Sequence, residues 1–248
     1  MRDNWKSYFC NVNGKLASIF LNLSLRNEAP ILSKPWLLWV WLHCQSPRRD
    51  GLSDRNEAPT LFKIEDALTR QVGRKCNAVP CGRITTEGRR EFYFYGETNR
   101  GFASAVRTAM SAFRKYKVDI GDQEDSLWEQ YLNVLYPSST DLERIKNREV
   151  LEVLEEHGDV LTAAREVQHW MYFQSAQSRA SFRHEVVKAG FKVESESQVE
   201  GDRPFGISVI RTQPVGPDAI DETVMELLRL TEQFEGEYDG WETQVITQ

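Results

Sequence analysis

The side chains able to act as nucleophile, base or metal ligand are few in this chain, and their spacing suits none of those tasks. The histidines are His43, His157, His169 and His184, and the cysteines Cys10, Cys44, Cys76 and Cys81 all precede residue 82. A thiol nucleophile needs a base aimed at its sulfur. His43 adjoins Cys44, but neighbours on a strand point to opposite faces, so the imidazole does not reach the thiol. Cys76 and Cys81 are too far apart for a zinc knuckle, and only His43-Cys44 offers a second pair, so buried structural thiols are expected rather than a metal site. His169 and His184 fall on a predicted strand and a predicted helix, where a surface or hydrogen-bonded core histidine is the commoner outcome. The sequence has no serine nucleophile elbow, no phosphate-cradling glycine loop and no histidine pair at metal spacing. No catalytic residue, metal or cofactor is assigned, and the chain reads as a binding protein rather than an enzyme.

Residues suited to binding are easier to find. Near the C-terminus, Glu237-Tyr238-Asp239-Gly240-Trp241-Glu242 combines acids with aromatics. Asp239-Gly240 is suited to a bulge that aims Trp241. Tyr238 and Trp241 are either fasteners between the last strand and its sheet or, with Glu237, Asp239 and Glu242, part of a protein-docking surface. Trp170 and Tyr172 alternate with His169, Met171 and Phe173, so one set faces helices and the other an open sheet face. Trp170 and Tyr172 on that open face are candidate partner anchors, because Trp and Tyr are enriched at interface hot spots. A second candidate is basic: Arg83, Arg89 and Arg90 surround a predicted hairpin turn at Glu87-Gly88. They are read as solvated, or as contacts for an acidic partner or an RNA backbone.

The elements that must position these residues follow from periodicity. Trp5 to Val12 and Lys15 to Leu25 read as strands about an Asn13-Gly14 turn, and Trp36 to Cys44 as a central strand. A helix is predicted over Thr60 to Val72, strands over Ala78 to Thr86 and Arg90 to Glu97, a helix over Gly101 to Tyr116, and a short strand over Val118 to Ile120. Asp125 to Tyr136 reads as helical, with Leu127, Tyr131, Val134 and Leu135 as its apolar positions. Pro137-Ser138-Ser139 breaks the chain, and a helix follows from Thr140 to His157. After it the order is strand, helix, strand, strand, helix, strand, which is the split βαββαβ pattern. The expected fold class is α+β in two domains: residues 1–137, an antiparallel sheet with helices, and residues 140–248, a leading helix plus a ferredoxin-like four-stranded antiparallel sheet with its helices on one face. The pentapeptide Arg-Asn-Glu-Ala-Pro occurs at 26–30 and at 55–59 in unlike flanks, so two loop exits are expected rather than a structural repeat.

Charge separates the same two halves. Residues 1–138 carry 20 Lys and Arg against 15 Asp and Glu, and residues 139–248 carry 11 against 22, giving +5 and −11 within the net −6. A phosphate backbone demands clustered cations, so direct nucleic-acid binding is not expected of the second half, and a protein partner is. The most apolar stretch, Pro35 to Cys44, is too short to span a bilayer. The opening Met1-Arg2-Asp3-Asn4-Trp5-Lys6 lacks the apolar core of a secretory signal, so a cytoplasmic location is expected.

The Glu237-Tyr238-Asp239-Gly240-Trp241 motif, with Leu230 to Phe234 before it, resembles the C-terminal signature of the bacterial regulator of ribonuclease activity B family, the ribonuclease E inhibitors. Arg148 to Asp159 is similar to that family's leading helix and its Gly-Asp exit, and Ala189-Gly190-Phe191-Lys192-Val193 to its helix-to-strand corner. The resemblance covers about residues 140–248. It implies a non-catalytic α+β protein that binds the endonuclease ribonuclease E and restrains RNA cleavage. The sequence departs from the family pattern in ending at Val245-Ile246-Thr247-Gln248, without a long acidic tail. Gly82 to Tyr95 and Trp128 to Pro137 resemble a bacterial domain family of unknown function often found beside this regulator domain, which implies architecture and no chemistry. Two other functions stay open at this point: an RNA-binding module built on the N-terminal basic hairpin, and an enzyme with an unrecognised site.

Overall fold

The computed structural model describes residues 3–247 and divides into two compact units, one ending at Ser138 and the other beginning at Ser139. In the first unit, β1 (Trp5–Val12), β2 (Lys15–Asn22), β3 (Trp36–His43), β4 (Val79–Thr86), β5 (Arg89–Gly96) and β6 (Val118–Glu124) form one antiparallel sheet in the order β1-β2-β4-β5-β3-β6. The hairpins close at Asn13-Gly14 and Glu87-Gly88, all four residues at positive φ, as a tight turn between right-twisted strands requires. β2 stops at Asn22 because its side chain accepts the Ser24 backbone N–H and starts a 3-10 turn, Leu23–Asn27. Leu23 and Leu25 therefore lie outside the strand, which was expected to run on to Leu25.

The two faces of this sheet bury different things. Leu38, Val40, Leu42, Phe92 and Phe94 meet α1 (Ala58–Cys76) and α2 (Phe102–Met110) across an aliphatic core. Tyr93 and Tyr95 point the other way: Tyr95 stacks on Trp128, which has Tyr131 edge-on to it, and the Tyr93 hydroxyl donates to Glu91. The segment expected to be a helix from Asp125 to Tyr136 is instead a short π-helix, Gln130–Leu135, and Leu127 and Val134 are exposed. Asp125 sets this shape: its carboxylate accepts the N–H groups of Glu129 and Gln130 and the Tyr95 hydroxyl. The repeated pentapeptide takes two conformations, a cis Ala29-Pro30 bond after the 3-10 turn and the first turn of α1 at Ala58-Pro59.

The second unit contains α3 (Ser139–Glu156), β7 (Arg165–Phe173), α4 (Ala176–Lys188), β8 (Lys192–Gln198), β9 (Phe205–Gln213), α5 (Pro217–Gln233) and β10 (Glu237–Thr243). The sheet order β10-β7-β9-β8, antiparallel throughout, is the ferredoxin-like arrangement of a βαββαβ chain. Val167, Met171, Phe173, Ile207, Val209 and Tyr238 face Phe182 and Val186 of α4 and Ile220, Val224 and Leu227 of α5, while α3 adds Leu151 and Leu154. Among the described residues the opposite face of this sheet carries no helix of its own unit, and it positions the candidate site.

Candidate functional site

β10 contains the acidic-aromatic motif, and one irregularity decides where each residue points. Tyr238 and Trp241 are three apart, which on a regular strand would put them on opposite faces. The register against β7 shifts between Tyr238 and Gly240, leaving Asp239 as the extra residue of a bulge, with Gly240 at φ 149°. Tyr238 then pairs with Met171 and Trp241 with His169, so both rings turn to the helix side. The Tyr238 hydroxyl lies 2.9 Å from His169 Nδ1, and Trp241 Nε1 donates to Asn147 Oδ1 of α3 at 2.8 Å. These two aromatics fasten the last strand to the sheet and to α3. Glu237 and Glu242 fall opposite Tyr172 and Gln168 and share their face.

The open face is thus assembled from Glu166, Gln168, Trp170 and Tyr172 of β7 with Glu237 and Glu242 of β10. Tyr172 lies across Gly206, where any Cβ would stand 3.1 Å from its ring, so the missing side chain lets the aromatic lie flat on the sheet. Arg203 pairs with Glu237 at 2.7 Å. Glu166 and Glu242 have no cation within ion-pair distance among the described residues. At their end of the face is a pocket of about 330 Å³, bounded by Glu166, Gln168, Glu194, Ile210, Glu242 and Ile246. Sequence reasoning reached Trp170, Tyr172 and Glu242 but not Glu166, Gln168, Glu194 or Ile210. Alternation along β7 already placed Glu166 and Gln168 with Trp170, whereas Ile210 and Glu194 needed the pairing of β9 and β8.

Behind the site lies a fully buried titratable group. His169 is without a partner at Nε2, and burial, followed by the charge of Arg211, lowers its pKa to about 3. Burial, then the charges of Glu143 and Asp239, pushes the Tyr238 hydroxyl up. The pair is a neutral structural contact. Because the folded pKa is depressed below the usual value near 6.5, the unfolded chain takes up the proton first and stability falls with pH between about 6.5 and 3. At pH 4 the expected loss is about 3 kcal/mol, from about 1.36 kcal/mol per pH unit over the window. Urea unfolding of wild type and His169→Phe at pH 7 and pH 4 checks it: the variant should lose distinctly less on acidification, and equal losses would assign the acid sensitivity elsewhere.

The N-terminal basic cluster does not form a free patch. The β4-β5 hairpin puts Arg83 and Arg90 on the helix side and Arg89 on the other. Arg83 is ion-paired to Glu65 at 2.5 Å with its guanidinium 4.1 Å from the Phe20 ring centroid. Arg89 is paired to Glu91 and stands over Trp41. Arg90 is buried, donates to Thr85 and Ser53, and has its pKa lowered to about 10 by burial and then by Arg83. All three are engaged within the fold, which differs from the solvated hairpin the sequence suggested. Among the other candidates, His43 pairs with the exposed Asp119, and burial raises the Cys44 pKa to about 11. No group of three His, Cys, Asp or Glu able to hold a metal occurs among the described residues. No helix among them is long and apolar enough to cross a membrane.

The chain is a two-unit α+β protein whose C-terminal unit has an acidic-aromatic face on its sheet. Residues 3–136 match the sequence model of a family described as "Family of unknown function (DUF695)", which spans more than half of the chain, and the chain belongs to that family. Residues 144–243 match the model described as "Regulator of ribonuclease activity B". The relatives of that name from Escherichia coli (strain K12) and Salmonella typhi are 27% and 26% identical over 110 residues, 43% of this chain and 80% of theirs. Among solved structures, one titled as an unknown protein from Galdieria sulphuraria is 10% identical over 86% of this chain and 99% of its own, with a TM-score of 0.23.

Proposed function

We propose that this chain is a non-catalytic regulator that binds a ribonuclease E-type endonuclease through its C-terminal unit and lowers RNA cleavage in the cytoplasm. The observation that carries the reading is the match of residues 144–243 to the regulator of ribonuclease activity B family, over the same stretch that builds the ferredoxin-like unit. The site supports it physically. An open sheet face with Trp170 and Tyr172 at its centre and carboxylates around them has the make-up of a protein interface and repels a phosphate backbone. The arginines on which a direct RNA contact would rest are held by Glu65, Glu91 and the hydroxyls of Thr85 and Ser53.

The deciding experiment is cleavage of a defined RNA by the host's ribonuclease E, titrated with the full chain. Saturable inhibition is expected, with a 1:1 complex in sedimentation. In Trp170→Ala/Tyr172→Ala it should weaken by at least tenfold while the protein stays folded at the assay temperature. Undiminished cleavage together with no complex at micromolar protein would sink the reading.

A further inference from the structure

We propose that the pocket at the Glu166 end of the open face receives a cationic side chain, arginine or lysine, so that the C-terminal unit captures a basic segment of its protein partner. The inference rests on the reading of this unit as a protein-binding regulator and adds the chemistry of what it binds. Three features of the pocket select such a side chain. Its walls carry Glu166, Glu194 and Glu242, and among the described residues only Glu194 of the three has an ion-pair partner, Lys192 at 3.9 Å and largely exposed. Arg165 also borders the pocket, but its guanidinium is committed to Asp159 and to the carbonyls of Val160, Ala163 and Gln244, so it does not neutralise the acids. Ile210 and Ile246 give apolar contact on which the methylene stem of Lys or Arg can lie while its charged head meets the carboxylates.

The surroundings extend the match. Gln168 donates from its amide nitrogen to Ser208, which leaves its carbonyl oxygen as a further acceptor at the pocket. Trp170 and Tyr172 continue the same face beyond the pocket, and aromatic rings are favourable platforms for a second guanidinium. The unit as a whole is −11, so long-range attraction brings a basic segment to this surface and hinders nucleic acid. The size fits one side chain rather than a folded domain: about 330 Å³ at the foot of a flat face is a socket within a larger interface.

The test is a ¹⁵N-¹H NMR titration of the full chain with a terminally blocked hexa-arginine peptide, with hexa-glutamine and a twelve-nucleotide single-stranded RNA as comparisons. Shifts should centre on residues 166–172, Ile210 and Glu242 with the arginine peptide alone. E166Q/E242Q should melt with the wild type and bind the peptide at least tenfold more weakly. E152Q/E155Q, which removes the same charge from exposed positions of α3, should change binding less than twofold. Equal weakening in both double variants would reduce the effect to net charge. That result, shifts centred elsewhere, RNA bound at the pocket, or no peptide binding at millimolar concentration would overturn the proposal. No ribonuclease is present in this titration, so it separates the two readings. Peptide capture without ribonuclease inhibition would sink the regulator reading and keep the pocket, and full inhibition by E166Q/E242Q would do the reverse.

Discussion

Trp128→Ala is expected to lower the thermal transition of the N-terminal unit by on the order of 10 °C, corresponding to about 3–5 kcal/mol for truncating a buried large aromatic. Trp128 is fully buried, stacked on Tyr95 at 4.0 Å between centroids and 6° between planes, with Tyr131 edge-on at 6.0 Å. Its Nε1 donates to the Lys34 carbonyl at 3.0 Å, which ties the segment before β3 to the one after β6. The backbone at this position is left-handed, φ 59°, a conformation costly for any residue with a Cβ. The indole's contacts hold it there, and alanine would keep the strain while losing the contacts. Trp128→Gly should therefore melt no lower than Trp128→Ala, an inversion of the usual order in which glycine is worse by about 0.5–1 kcal/mol. Calorimetry on the three proteins checks this, and a glycine variant clearly below the alanine one would mean that the backbone relaxes once the ring is gone.

Trp128 also marks where the sequence stopped being readable. Strands whose own side chains state their period, such as Arg165–Phe173 or Arg89–Gly96, could be placed within a residue or two, because alternation is local information. The βαββαβ order of the second unit followed from four strands and two helices, each stating its own period. The stretch from Asp125 to Tyr136 has apolar residues at helical spacing, yet Asp125 takes up the first free N–H groups and the Tyr95 hydroxyl, and this tertiary contact turns Leu127 and Val134 outward. The site was legible to the same extent. That Trp170 and Tyr172 share a face could be counted along β7. That Tyr238 and Trp241 both turn inward required the bulge at Asp239, which two residue names foreshadowed but only pairing with β7 located. The arginines looked like a patch in one dimension. The hairpin sends them to two faces, and each finds a carboxylate, hydroxyl or ring there.

Asp159→Ala should destabilise the C-terminal unit about as strongly, by about 3–5 kcal/mol, the usual cost of stranding one member of a buried ion pair. Arg165 and Asp159 side chains are 4% and 0% exposed and meet at 2.5 Å. Asp159 Oδ2 also accepts the Ile246 N–H at 2.7 Å, and the Arg165 guanidinium reaches the Gln244 carbonyl at 3.1 Å. The pair is thus a clasp on the segment after β10, and that segment supplies one wall of the acidic pocket. Removing Asp159 leaves a buried guanidinium facing carbonyls only and releases Gln244 to Ile246, so peptide capture should fall together with the melting temperature. Arg165→Met/Asp159→Ala removes both charges and should cost less than the two single changes added together, because neither charge is then left uncompensated. The pH dependence separates this clasp from His169. Hydrogen bonding to Arg165 holds the Asp159 carboxyl below its ordinary value, so its contribution is complete above about pH 4 and is lost as the pH falls through the lowered folded value. The histidine effect has begun by about pH 6, and the aspartate effect should appear only in the acid limb of the curve. An Asp159→Asn protein whose stability matches the wild type at pH 7, or whose acid limb is unchanged, would show that the clasp holds by shape alone.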